Sequence, residues 1–180
     1  MNHIPDAQLT HVGLFVHDLE SMAGFYASVF GMVRTDEGSN YRGDRVVFLS
    51  RSPQEHHQLV LAAGRGAGQA TTVQQVSFNV AGLEALKIFY PRLEHVKADQ
   101  LVARTHGNAW SIYFLDPEGN RVEIYAHTPW HVSQPYGKDL DLSEPVAVIH
   151  DKTLAMIRDD PSFAPREQWA AALRARIDAA

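Results

Sequence analysis

Glu123 is the residue most out of keeping with its surroundings. It occupies the centre of Arg121-Val122-Glu123-Ile124-Tyr125, where polar and apolar residues alternate with the period of a pleated strand. The middle of such a strand does not ordinarily hold a charge without a partner. Either the carboxylate binds a cation inside a cavity, or it lies on an exposed face beside Arg121. The chain has ten histidines and no cysteine. Without cysteine, disulfides, thiol nucleophiles and thiolate-held zinc or iron–sulfur sites are excluded. Histidine, glutamine and carboxylate remain as donors, and mixed nitrogen and oxygen sets suit Fe(II), Mn(II), Zn(II) or Ni(II).

The elements that would position these groups come in two copies. Leu9 to Val16 reads as a first strand. Asp18 is a helix N-cap, Leu19, Met22, Phe25, Tyr26 and Val29 follow at helical spacing, and Gly31 stops the helix. Val33 to Thr35, Arg45 to Ser50 and His57 to Ala62 read as strands, and Gly64 to Gln69 has the composition of a linker. The pattern then restarts. With Gln75 under His11, QVSFNVAGLEALKIFY aligns with HVGLFVHDLESMAGFY without a gap, with six identities in sixteen positions. Further on, RVVFLS lies under SIYFLD, and that register puts His57 opposite Glu123. A βαβββ unit of about 60 residues is therefore duplicated. Neither module buries the apolar face of its sheet alone, so the two should pair, helices outside, as an α+β fold with a cup-shaped mixed sheet. The repeat nominates His11 and Gln75 on the first strand of each module, and His57 and Glu123 on the last.

This places one domain in residues 1–126, with modules over about 9–63 and 72–126, and a C-terminal appendage in 127–180. In the appendage, Thr128-Pro129-Trp130-His131 and Gln134-Pro135-Tyr136 form a loop with aromatic anchors. Ser143 caps a helix carrying Val148, Leu154, Met156 and Ile157, and Pro165 opens a last helix through Trp169, Leu173 and Ile177. Those apolar stripes need a surface to cover, and a homodimer is the expected assembly. The chain has 180 residues, 45% hydrophobic and 21% charged, as an ordinary globular domain does. A net charge of −5 and a pI near 6.0 give no electrostatic case for nucleic acid or an anionic membrane. There is no long apolar run and no secretory signal pattern, so a cytoplasmic protein is the simplest reading.

The repeat, with HVGLFVHDLESMAGFYASVFGM near the start and HGNAWSIYFLDPEGNRVEIY near the end, resembles the vicinal oxygen chelate superfamily. That superfamily contains glyoxalase I, extradiol catechol dioxygenases, fosfomycin-modifying enzymes and bleomycin-resistance binding proteins. The resemblance covers about Leu9 to Tyr125. Within it, the chain is most similar to small one-domain extradiol dioxygenases of the 2,3-dihydroxybiphenyl type. Their run of histidine, glycine, Tyr-bearing strand, Asp-Pro-Gly and glutamate is echoed by His106, Gly107, Tyr113, Asp116, Pro117, Gly119 and Glu123. The resemblance implies that His11, Gln75 and Glu123 are metal ligands and that His57 is a further ligand or a neighbouring acid/base. It implies that Tyr113 hydrogen-bonds a substrate oxygen and that His106 lies at the pocket mouth. Gln75 stands where the dioxygenases carry a second histidine, and an amide oxygen is a weaker donor to Fe(II) than imidazole. Some glyoxalases do use glutamine as a ligand.

The expected activity is thus metal-dependent extradiol cleavage of a small aromatic diol by dioxygen, with Fe(II) the favoured metal. Three ligands on one face leave positions for both diol oxygens and dioxygen, and His57, Tyr113 or His106 would manage protons. Glyoxalase-type lyase or isomerase chemistry needs two carboxylate-type groups at the metal, and only Glu123 occupies a matched position. A non-catalytic binder of aromatic compounds would use the same cup without metal, lined by Trp110, Tyr113, Phe15 and Phe78.

Overall fold

The computed structural model describes residues 7–66 and 68–179. Residues 1–6 of the expected domain, Ala67 of the expected linker and Ala180 lie outside the described residues. The chain divides into two compact units, Met1–Thr72 with Asp116–Gly119, and Val73–Leu115 with Asn120–Ala180.

The first unit contains β1 (Val12–Val16), α1 (Leu19–Phe30), β2 (Val33–Ser39), β3 (Arg45–Ser50) and β4 (Leu59–Ala63), in sheet order β1-β4-β3-β2. β1 and β4 are parallel; the other pairings are antiparallel. α1 begins and ends where local chemistry requires. The Asp18 carboxylate accepts from the backbone N–H groups of Glu20 and Ser21, and Gly31 closes the helix at φ 65° in the left-handed region. Leu19, Met22, Ala23 and Tyr26 form its buried stripe. The Tyr26 hydroxyl donates to Asp116 Oδ2 at 3.1 Å, and burial, then the Asp116 charge, push its pKa up. The Asp116–Gly119 turn is further held by Glu118, whose Oε1 accepts from the backbone N–H groups of His17 and Asp18 at 2.7 and 2.9 Å.

The second unit contains β5 (Val76–Asn79), α2 (Leu83–His95), β6 (Val102–Thr105), β7 (Ala109–Leu115), β8 (Arg121–His127), β9 (Trp130–His131), β10 (Lys138–Asp139), α3 (Val146–Ile157), β11 (Ala164–Pro165) and α4 (Arg166–Asp178). Its main sheet runs β10-β6-β7-β8-β5, with β5 and β8 parallel. The order β5-β8-β7-β6 repeats β1-β4-β3-β2 element for element, so the duplicated βαβββ unit and the α+β class hold. Side-chain alternation divides β7 and β8 into two faces. Ile112, Phe114, Val122 and Ile124 are fully buried on one, and α2 packs on these strands through Leu83, Leu86 and Leu93. Ser111, Tyr113, Glu123 and Tyr125 lie on the other.

The strand register corrects one expectation. β1 pairs Gly13 with Val60 and β5 pairs Ser77 with Glu123, so Val60, not His57, answers to Glu123. The slip has two parts. Phe48 pairs with Val60 as Tyr113 pairs with Glu123, so Phe48 answers to Tyr113 and not to Phe114. The β7–β8 hairpin is also two residues shorter than the β3–β4 hairpin. A one-residue shift matches opposite faces of a strand, which is why similarity between short apolar runs misleads.

The appendage differs from expectation in detail. The Ser143 hydroxyl donates to Asp141 rather than capping α3, and Pro145 stands at the N-cap. α3 buries Ile149, Thr153 and Ile157, while Val148 and Met156 are exposed. Spacing of four residues puts the first three on one face, which Thr153 anchors by accepting from Trp110 Nε1 at 2.9 Å. α4 buries no residue, although Trp169 stacks on His131 with ring centroids 4.8 Å apart. No helix among the described residues is long and apolar enough to cross a membrane.

Candidate functional site

Glu123 faces the polar side of the second unit's sheet and is only 8% exposed. Three donors converge on its carboxylate. Tyr113, directly opposite on β7, donates its hydroxyl to Oε1 at 2.6 Å. On the other side of Glu123, the hydroxyl of Ser77 on β5 donates to Oε2 at 2.6 Å, and Gln75 Nε2 donates to the same oxygen at 2.9 Å. Short bonds to a charged acceptor are the strong kind, and together they stabilise a charge in a place that would otherwise repel it. Burial, followed by the bond to Glu123 and its charge, drives the Tyr113 hydroxyl well above its ordinary pKa, so it stays a proton donor at physiological pH. The Arg121 guanidinium lies 5.3 Å from the Tyr113 ring centroid.

The chain of contacts continues to His106. Its Nε2 is 2.9 Å from the Tyr113 hydroxyl, and its Nδ1 is 2.7 Å from the carbonyl oxygen of Tyr136. A carbonyl only accepts, so Nδ1 carries a hydrogen. A neutral His106 then presents a bare Nε2, and Tyr113 has one hydrogen for two acceptors. Its hydroxyl therefore donates fully to Glu123 or to Nε2, not to both at once. The geometry thus connects an imidazole and a carboxylate through a phenol that can pass a proton between them.

His106 is held by the turn it occupies and by the appendage. Its backbone N–H bonds to Ala109 and its carbonyl accepts from Gln134 Nε2 at 2.9 Å. Gly107 follows at φ 71°, and a Cβ there would come within 2.6 Å of Val132 Cγ2. Only glycine fits both the backbone angle and the space.

His106, Tyr113 and Glu123 line an open cavity of about 350 Å³ with Asn108, Tyr125 and His127. Gln134 also borders it. Burial, and then the charge of Arg166, lower the His127 pKa. Tyr125 and His127 follow Glu123 at strand period two, a signal present in the sequence once Glu123 is placed facing a cavity. Ser77, Asn108 and Gln134 carried no such signal, because their roles depend on pairings between distant segments. Trp110, proposed as a cavity wall, is 4% exposed and packs against Trp130 and His150, its ring turned to the opposite face by strand alternation.

His11 and His57 belong to the first unit, where their rings meet with centroids 4.5 Å apart. Each precedes its strand rather than lying within it, since β1 begins at Val12 and β4 at Leu59. Residues before Leu59 form a turn closed by the Ser50 hydroxyl, which donates to the carbonyls of Ser52 and Glu55. His57 also lies 3.0 Å from His56, Nδ1 to Nδ1. Burial, and then the neighbouring His11 and His56, lower its pKa. Gln75 likewise stands one residue before β5, so the equivalence of His11 and Gln75 is kept.

Glu123 and Gln75 offer carboxylate and amide oxygens, donors that suit Mn(II) or Fe(II). Within neither unit do three or more of the described His, Asp or Glu side chains gather as a metal requires. The hydrogen bonds to Glu123 account for its burial without a cation, so the burial alone does not demand a metal.

The family model described as Glyoxalase/Bleomycin resistance protein/Dioxygenase superfamily matches residues 8–124. The sequence matches no curated protein at a significant level. Among solved structures, a glyoxylase/bleomycin resistance protein/dioxygenase domain from Frankia sp. EAN1pec is 18% identical, with a TM-score of 0.60 over 69% of this chain and 94% of that one. A mutant of the fosfomycin resistance protein FosX from Listeria monocytogenes, complexed with Mn(II) and 1S,2S-dihydroxypropylphosphonic acid, is 18% identical, with a TM-score of 0.56 over 69% and 95%. Lactoylglutathione lyase from Agrobacterium tumefaciens is 19% identical, with a TM-score of 0.51 over 68% and 96%. At these identities the likeness is one of fold.

Proposed function

The chain belongs to the glyoxalase/bleomycin resistance protein/dioxygenase superfamily, and from that premise we propose that it is a cytoplasmic, metal-dependent, extradiol-type dioxygenase acting on a small aromatic diol. The observation that supports this reading is the buried Glu123, joined through Tyr113 to His106 at the wall of a cavity of about 350 Å³. Glu123, Gln75 and His11 are the proposed ligands, with Fe(II) favoured. When bound, the ion would supply Lewis acidity and redox chemistry. Tyr113 is protonated before and after any transfer, and it orients a substrate oxygen by donating to it or accepting from it. His106, with Nδ1 tied to the Tyr136 carbonyl, directs Nε2 toward Tyr113 and takes up a diol proton through that hydroxyl. His57 is proposed as a neighbouring acid/base. A homodimer belongs to the same reading, because α4 buries no residue and leaves Trp169 and Ile177 exposed.

Anaerobic metal analysis followed by oxygen uptake with a panel of catechols tests the proposal. Stoichiometric iron with oxygen consumption supports it. A protein that takes up metal but consumes no oxygen returns the chain to the glyoxalase-like class. A second reading, a non-catalytic binder of aromatic compounds, is favoured by one observation: three donors already satisfy Glu123 without a cation. A metal-free protein that binds planar aromatics would establish it.

A further inference from the structure

The cavity beside Glu123 has two unlike ends. Strand pairing on its floor is a ladder, in which Tyr113 faces Glu123, Ser111 faces Tyr125, and Ala109 faces His127. A strand rises about 3.4 Å per residue, so the rungs of Glu123 and His127 stand roughly 14 Å apart. At the Glu123 end the polar groups are engaged with one another. The carboxylate takes Tyr113, Ser77 and Gln75, and His106 takes Tyr113 and Tyr136. At the other end Asn108, Tyr125 and His127 border the same space. None of these three side chains has a hydrogen-bond partner among the described residues. Between the ends the tyrosine rings and the short Ala109 supply apolar surface.

Resting on the dioxygenase reading, we infer that the substrate carries a carboxylate on the side of its ring away from the diol, and that Asn108, Tyr125 and His127 receive it. All three can donate, through an amide N–H, a phenol O–H and an imidazole N–H. An oxyanion accepts from several donors at once, whereas a neutral alkyl group at that end would leave all three unpaired and desolvated. Arg166 at the start of α4 acts by charge on His127 and adds a positive contribution at that end. The spacing selects a ring with a short carboxylate arm. A bare catechol would reach only one end.

Calorimetric titration of the full chain tests this with two probes that lack a diol, hydrocinnamate and its neutral amide. The carboxylate is expected to bind about tenfold more tightly than the amide. In Asn108→Ala and His127→Ala the ratio should fall toward one. Both residues are at least partly exposed, and circular dichroism confirms that the variants fold. Equal affinities for the two probes, or a preference that survives both substitutions, would overturn the inference. The probes cannot be turned over. A carboxylate preference without oxygen uptake would therefore retain the anion subsite while the dioxygenase reading fails, and uptake with bare catechol but no preference would do the reverse.

Discussion

The two modules carry the same cross-strand triplet in different chemical forms. In the first, Gly13, Val60 and Phe48 stand side by side on β1, β4 and β3. In the second, the same places hold Ser77, Glu123 and Tyr113 on β5, β8 and β7. One duplicated frame thus bears an apolar set and a polar one. Phenylalanine becomes tyrosine, glycine becomes serine, and valine becomes the carboxylate that both hydroxyls address. The buried charge is therefore not a lone substitution. It needs two further hydroxyls at neighbouring strands and an amide at Gln75, because a buried carboxylate is tolerated only where donors meet it.

The contrast between modules is tested most severely at Glu123. Glu123→Val copies the first module and should reduce metal affinity by about a hundredfold or more. It should also cost about 3 kcal/mol in urea denaturation, because Tyr113, Ser77 and Gln75 lose their acceptor. Adding Ser77→Gly and Tyr113→Phe should restore much of that stability but none of the metal binding. A single variant as stable as the parent would show that the three bonds contribute little. The reverse exchange is Val60→Glu, which puts a carboxylate where Gly13 and Phe48 offer no side-chain donor. A loss of roughly 1–3 kcal/mol is expected, and an unchanged urea midpoint would refute the donor argument.

A smaller effect is expected where the modules differ as His11 and Gln75. Gln75→His should tighten Fe(II) by about tenfold, measured by anaerobic titration. Weaker Fe(II) binding would mean that the Gln75 bond to Glu123 matters more than its donor type. The smallest effect distinguishes the modules by pH. The His57 pKa is lowered in the folded state. The unfolded chain therefore takes up the proton first, and this contribution to stability is present above the ordinary value of 6.5 and declines as pH falls below it. His57→Gln should flatten the acid side of the stability profile, and an identical profile would remove His57 as its source.

Local signals in the sequence specify a good deal of this protein. The Asp18 cap and Gly31 stop bound α1, period-two alternation marks β3, β7 and β8, and the repeat offset that pairs His11 with Gln75 also places both helices. Glu123 is conspicuous because a charge in an apolar strand departs from its immediate neighbours. The residue that answers to Glu123 emerges only in the assembled fold, since register depends on hairpin length and on parallel pairing between segments far apart in the chain. So do the reach of Ser77 and Gln75 to Glu123 across a parallel pair, and the grip of the appendage on His106 through Gln134 and the Tyr136 carbonyl. Caps and alternation are written within a few residues of the groups they act on. A hydrogen bond between residues 46 or 48 positions apart exists only after the strands between them have paired.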